Sequence, residues 1–253
     1  LCKRKLQHFL SDLALLGSLQ GFKYFQPWLR GKEELLLTVV NEDLVSFCRQ
    51  NKINTSACTV TLVTSFCIHR EPSSEEHLLP ASPSEREIAV PEVNCTLFLL
   101  AGYVKYGRPY AWIRSNHERL VNIGGTDSMV KDTPMKLKSI ADWQTRGIRV
   151  WDVVSELVCL CTVPSPSNPF ALDMRYIKSL PVPDRFLVTG ALLNFLEMYV
   201  IYGNRDELHY DKVAEEVKPL RRLHVQSLLE LQRLRESSGS ASSHTAQDSS
   251  AEE

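Results

Sequence analysis

The chain has 253 residues, 43% of them hydrophobic, with 29 Lys and Arg against 30 Asp and Glu. That is enough apolar material for one large packed domain or two small ones, and it excludes a chain kept unfolded by its composition. The net charge of −1 excludes the strongly basic nucleic-acid binder that composition alone reveals, so any such role must rest on local charge.

Seven cysteines (Cys2, Cys48, Cys58, Cys67, Cys95, Cys159 and Cys161) are an odd number scattered among apolar residues. This fits reduced thiols in an intracellular protein, cytoplasmic or nuclear, better than a disulfide framework. The sequons Asn54-Thr55-Ser56 and Asn94-Cys95-Thr96 would matter only in a secreted chain. No apolar run approaches the ~20 residues of a membrane span, and no signal-peptide core follows Lys3-Arg4-Lys5, so membrane association is not expected. The chain starts at Leu1 without a methionine, which predicts a piece of a longer protein.

Leu6, Phe9, Leu10, Leu13 and Leu16 recur at helical spacing, with Lys3, Lys5, Gln7, Ser11 and Asp12 mostly off that stripe, which predicts a helix over 2–19 ended by Gly21. Phe22, Tyr24, Phe25 and Trp28 read as a short aromatic connection that fixes a helix to a sheet. Glu34–Val40 reads as a strand. Asn41 is placed to cap a helix over 42–50, and strict alternation predicts a half-exposed strand over 58–69. Residues 71–87, rich in Pro, Ser and acids, read as a flexible loop.

Asn94 to Asn116 reads as a β-hairpin. Its first strand is apolar on both faces, because Leu97, Leu99 and Ala101 alternate with Phe98, Leu100 and Gly102, and such a strand belongs inside a sheet. Gly107 and Pro109 mark the turn. A loop from Tyr106 to Pro109 would set Lys105 opposite Tyr110 and Tyr103 opposite Trp112, with the return strand over Tyr110–Arg114.

Further on, 118–123 reads as a short strand before the turn Gly124-Gly125-Thr126-Asp127-Ser128, and 136–144 fits neither helix nor strand decisively. Val150, Val153, Val154, Leu157, Val158 and Cys161 predict a helix over 150–161, stopped by Pro164, Pro166 and Pro169. A long buried helix is predicted over 184–202 with Phe186, Leu187, Leu193, Leu196, Val200 and Ile201 inside and Gly203-Asn204 closing it. The last helix, 212–236, carries Val213, Val217, Leu220, Leu223, Leu228, Leu231 and Leu234, with Pro219 expected to kink or split it. Residues 236–253, acidic and Ser-rich without an apolar anchor, read as a disordered tail. No internal repeat is present.

The sharpest site is the hairpin tip and return strand, where Lys105, Arg108 and Arg114 interleave with Tyr106, Tyr110 and Trp112, the mixture of cations and rings that stacks bases and meets phosphates. The bland alternative is that the rings are core and the cations solvated. Cys159, Cys161 and a distant His209 lack the usual spacing of zinc ligands and read as buried thiols. His209-Tyr210-Asp211, near Asp206 and Glu207, reads as a solvated turn rather than an acid–base site. The 124–128 turn lacks both glycine-rich nucleotide patterns, and no GxSxG, HExxH or paired CxxC occurs.

These readings combine into one α+β domain over 1–235: a mainly antiparallel sheet of about four or five strands packed with helices, then a C-terminal helical layer and tail. With no catalytic, cofactor or metal residue to name, the function expected is a non-enzymatic interaction subunit or adaptor of an intracellular multiprotein complex. It would dock through apolar helix and sheet surfaces, notably Val217, Leu220, Leu223, Leu228, Leu231 and Leu234. Protein subunits are the expected partners and no small-molecule ligand is. The alternative is single-stranded nucleic-acid binding through residues 103–114.

Overall fold

A computed structural model of the chain describes residues 2–41, 95–114, 134–143, 145, 147–206 and 209–242. The predicted helix 42–50, strands 58–69 and 118–123, loop 71–87 and turn 124–128 lie outside the described residues, as do positions 243–253 of the tail.

Helix α1 (Cys2–Leu16) buries Leu6, Phe9, Leu13 and Leu16 along its stripe and stops three residues short of the predicted end. Asp12, read as off the stripe, is buried at 5% exposure beside them. The aromatic stretch read as a connection is in fact a strand, β1 (Phe25–Leu29). Pro27 hid it, since proline cannot donate to a ladder, but among the described residues β1 is the edge strand of the sheet, where a proline is tolerated. The aromatic contacts foreseen there do form: Phe22 stacks on Phe25 at 4.4 Å, and Phe25 meets Phe170 edge-on at 5.9 Å.

Strands β2 (Glu34–Val40), β3 (Cys95–Ala101) and β4 (Tyr110–Ile113) complete an antiparallel sheet of order β1-β2-β3-β4. β3 is interior and buried from Thr96 to Ala101, as its two apolar faces require. Leu35, Leu37, Val39, Phe98, Leu100, Ala111 and Ile113 share the face that joins the main core. Leu36, Leu99, Ala101, Tyr110 and Trp112 share the other.

The predicted hairpin register is wrong. Trp112 pairs with Leu99 and Tyr110 with Ala101, so the loop runs from Gly102 to Pro109. The Gly102 amide extends the β2–β3 ladder by one rung to the Glu33 carbonyl (2.9 Å), and its backbone lies against α1, where a Cβ would come within 3.0 Å of Leu10 Cδ2. The strand also ends one residue early, although the Arg114 amide still donates to the Leu97 carbonyl at 2.8 Å.

After α2 (Lys138–Ala141), α3 (Val150–Cys161) has the predicted bounds, and its Asp152 carboxylate accepts the Arg149 amide at 2.8 Å. A short helix with no counterpart in the sequence reading, α4 (Met174–Ser179), is capped by the Asp173 side chain. α5 (Val182–Tyr202) starts two residues earlier than predicted, because Pro183 falls in the first turn, where its missing N–H has no helical partner to lose. Leu193 and Leu196 are buried as expected, but Leu187 and Ile201 are exposed at 66% and 68%, so α5 covers the core with one side only. Its length and composition would permit a membrane span, yet it packs along α6 and joins it through Arg185–Glu230 and Glu197–Arg221.

α6 (Tyr210–Ser242) is a single helix that passes through Pro219 unbroken and continues beyond the predicted end at Glu236. Val217 and Leu220, both buried, flank the proline and hold the helix to the core on either side of the missing hydrogen bond. One apolar cluster runs through the described residues from Leu6 of α1 to Leu223 of α6.

Candidate interaction site

The hairpin loop is fastened at several points. The Trp143 indole donates to the Gly107 carbonyl (3.2 Å), the Tyr103 hydroxyl to Glu34 Oε1 (2.5 Å), and the Met135 amide to the Ala111 carbonyl (2.7 Å). Burial, then the Glu34 carboxylate, pushes the Tyr103 phenol far above its ordinary value, so it stays a donor. Gly107 supplies the turn with φ +66°.

On this frame four rings close a circuit. Tyr103 meets Tyr106 at 6.0 Å, Tyr106 meets Tyr110 at 5.9 Å, Tyr110 stacks on Trp112 at 5.6 Å, and Trp112 returns to Tyr103 at 6.1 Å. Each predicted cation lies over one of them: Lys105 over Tyr106 (5.5 Å), Arg108 over Tyr110 (5.2 Å) and Arg114 over Trp112 (5.8 Å). The structure therefore brings all six predicted hairpin residues together. Val104 and Tyr106 are exposed at the tip, whereas Tyr110, Trp112 and Arg114 are half-buried.

The predicted docking helix divides in two. Val217, Leu220 and Leu223 are buried, so this part of the seam is core. α5 and α6 run antiparallel, with Thr189 meeting His224 and Arg185 meeting Ser227 and Glu230. Because α5 begins at Val182, the end of α6 extends past it. At 100° per residue, Leu231 and Leu234 continue the stripe of Val213, Val217 and Leu220, while Val225 and Leu229 fall on the opposite face. Leu228, Leu229 and Leu234 are exposed at 37%, 49% and 52%.

A family model described as a domain of unknown function (DUF7886) matches residues 82–226, more than half of the chain. The chain belongs to this family. Comparison with curated proteins and with solved structures returned no match. The DUF7886 match takes in β3, β4 and α2 to α5 but stops at Gln226, inside α6. α1, β1 and β2 precede it, yet they supply two strands of the sheet and a wall of the core, so the folded unit is larger than the match.

One pair of residues that the sequence reading dismissed is brought together within the DUF7886 match. Cys159 Sγ lies 3.5 Å from His209 Nε2, and His209 Nδ1 lies 2.9 Å from the Ser167 carbonyl oxygen. Cys161 is buried in the core, and among the described residues no group of three His, Cys, Asp or Glu side chains is placed to hold a metal. Cys159 sits off the apolar stripe of α3, which was the one sequence sign of a half-exposed thiol. Nothing local foretold its partner. Beside Ser167 an open cleft of about 320 Å³ is lined by Tyr24, Asn168, Lys212, Glu215, Glu216 and Pro219. Burial raises the Glu216 carboxyl, and neighbouring Glu215 raises it further.

Proposed function

We propose that this domain is a non-enzymatic interaction subunit or adaptor of an intracellular multiprotein complex, and that it docks through the outward face of the C-terminal half of α6. The observation that carries the reading is Val225 and Leu229, each 49% exposed on the face of α6 opposite its core stripe, with Leu234 exposed at 52% beyond the Arg185–Glu230 pairing to α5. Large apolar side chains grouped on one exposed element are costly to leave in water and mark contact surfaces. Exposed Arg222 and Arg233 flank them, which favours an amphipathic partner helix with acidic borders.

The test compares tagged wild-type chain with a Val225→Asp, Leu229→Asp, Leu234→Asp variant in co-purification from cell extract. Retained partners with wild type and their loss from a variant of unchanged melting temperature support the reading. A monodisperse wild-type chain that recovers no partner sinks it.

Single-stranded nucleic-acid binding is the second reading, favoured by the three cations set over rings along one sheet edge. Against it, those ring faces are already covered by cations, and Tyr103, Tyr106 and Tyr110 pack edge-on at 75° and 82°. Titration of a labelled oligonucleotide at two salt concentrations decides it. Salt-sensitive binding lost on Lys105→Ala, Arg108→Ala and Trp112→Ala together would establish this reading, and absence of binding at low salt would end it.

A further inference from the structure

Three segments meet around the Cys159–His209 pair. The thiol is carried by the last turn of α3, the imidazole of His209 comes from the entry to α6, and the Ser167 carbonyl comes from the connection after α3. A carbonyl oxygen only accepts hydrogen bonds, so the 2.9 Å contact requires His209 Nδ1 to carry a proton. That leaves Nε2, 3.5 Å from the sulfur, as the nitrogen that takes the thiol proton and then, as imidazolium, donates back to the thiolate. The hydroxyls of Ser165 and Ser155 lie near enough to the sulfur to favour its thiolate.

We propose that Cys159 is a nucleophilic thiol activated by His209, and that it exchanges with low-molecular-weight disulfides of the glutathione class as a site of reversible modification. In the exchange the thiolate attacks one sulfur of the disulfide. A bond forms between Cys159 Sγ and that sulfur, the original S–S bond breaks, and the departing thiolate is protonated by the His209 imidazolium. Cys159 is oxidised to a mixed disulfide and the other half of the reagent is reduced to a thiol. Attack by a second small thiol reverses the step.

The balance of forces at the sulfur favours this chemistry. Burial pushes the Cys159 thiol up, but the His209 imidazole and the Ser165 and Ser155 hydroxyls outweigh it, and the net direction is below the ordinary thiol value. His209 is the charged group whose field acts on it. The carbonyl end of α3 disfavours the thiolate and favours the imidazolium, so the dipole acts in opposite senses on the two halves of the pair. Cys159 and Cys95 are both half-buried, but at Cys95 burial alone acts and pushes the thiol up, and Cys161 is buried. The last two are internal controls.

The experiment reacts the reduced full chain with limiting iodoacetamide over a range of pH and reads each cysteine by peptide mass spectrometry. Cys159 is expected to alkylate several-fold faster at neutral pH than Cys95, Cys161 or free N-acetylcysteine, with a rate inflection below the ordinary thiol value of about 8.5. His209→Gln should slow it several-fold at neutral pH and move the inflection upward, with rates converging in alkali. Oxidised glutathione should place one glutathionyl group on Cys159, removable by dithiothreitol. Reaction no faster than N-acetylcysteine, or a folded His209→Gln chain with unchanged kinetics, overturns the proposal. Should that variant fail to fold, the wild-type profile decides alone, and an inflection at or above the ordinary thiol value overturns it.

Discussion

Asp12 of α1 and Arg149 at the entry to α3 form a two-bond ion pair, Nη2 to Oδ1 at 2.6 Å and Nε to Oδ2, with Asp12 only 5% exposed. The same guanidinium lies 4.3 Å from the centre of the Trp151 ring and 5.4 Å from that of Tyr202, so one side chain ties α1 to α3 and α5. Removing one partner strands a charge in a desolvated place. Asp12→Ala should cost about 3–5 kcal/mol in urea unfolding, while Asp12→Leu with Arg149→Met should cost far less than either single change. A single variant within about 0.5 kcal/mol of wild type would show that the pair is solvated.

This pair also marks where the sequence stopped being readable. β2 and α3 were legible to the residue because their apolar spacing alone decides which face is buried. Asp12 was not, since its place inside depends on a cation far along the chain. β1 was masked by a proline that only an edge position tolerates, and α6 by a proline that only flanking tertiary packing tolerates. The hairpin register failed because its loop, from Gly102 to Pro109, is held by Glu33, Glu34 and Trp143, residues remote in sequence that the turn residues do not reveal. The hairpin site was legible because its residues are near neighbours in sequence, whereas Cys159 and His209 meet only through the fold.

Gly102 and Gly107 should respond differently to substitution although both belong to one loop. A Cβ at Gly102 would meet Leu10, Phe9 and Leu6 side-chain atoms at 3.0, 3.2 and 3.3 Å, so Gly102→Ala is a packing fault worth roughly 1–3 kcal/mol, and Gly102→Asn should be worse. At Gly107 there is nothing within 4 Å but φ is +66°, so Gly107→Ala carries roughly 1–2 kcal/mol of backbone strain that Gly107→Asn partly avoids. Thermal melts of the four variants should show that reversal of Ala and Asn between the two sites. The same order at both would refute it.

The two halves of α6 should separate stability from docking. Leu220 is fully buried, and Leu220→Ala should cost about 2–5 kcal/mol. Leu229 is half-exposed, and Leu229→Asp should change stability by no more than about 0.5 kcal/mol. Chemical unfolding of both variants reads this directly. A large loss from Leu229→Asp would mean that the outward face is packed within the chain, and the docking proposal would lose its surface.

Glu216 gives the fold a pH dependence with a definite sign. Burial first, and Glu215 second, raise its carboxyl above the value it has in the unfolded chain. The folded state therefore holds the proton more tightly, and the stability this contributes is complete below the unfolded value, about 4.3, and is lost as pH rises through the folded one. At neutral pH the side chain is left with an ionised carboxylate in a half-buried cleft. Glu216→Gln removes that ionisation while keeping size and hydrogen-bonding capacity. Its effect is limited by solvent screening, so the melting temperature at pH 7 should rise by about 1–2 °C. Below about pH 4, where both chains carry a neutral group, the gap should close. Paired melts across that range check it: a variant less stable than wild type at neutral pH, or a gap that persists into acid, would mean that the Glu216 carboxylate makes a favourable contact at the cleft.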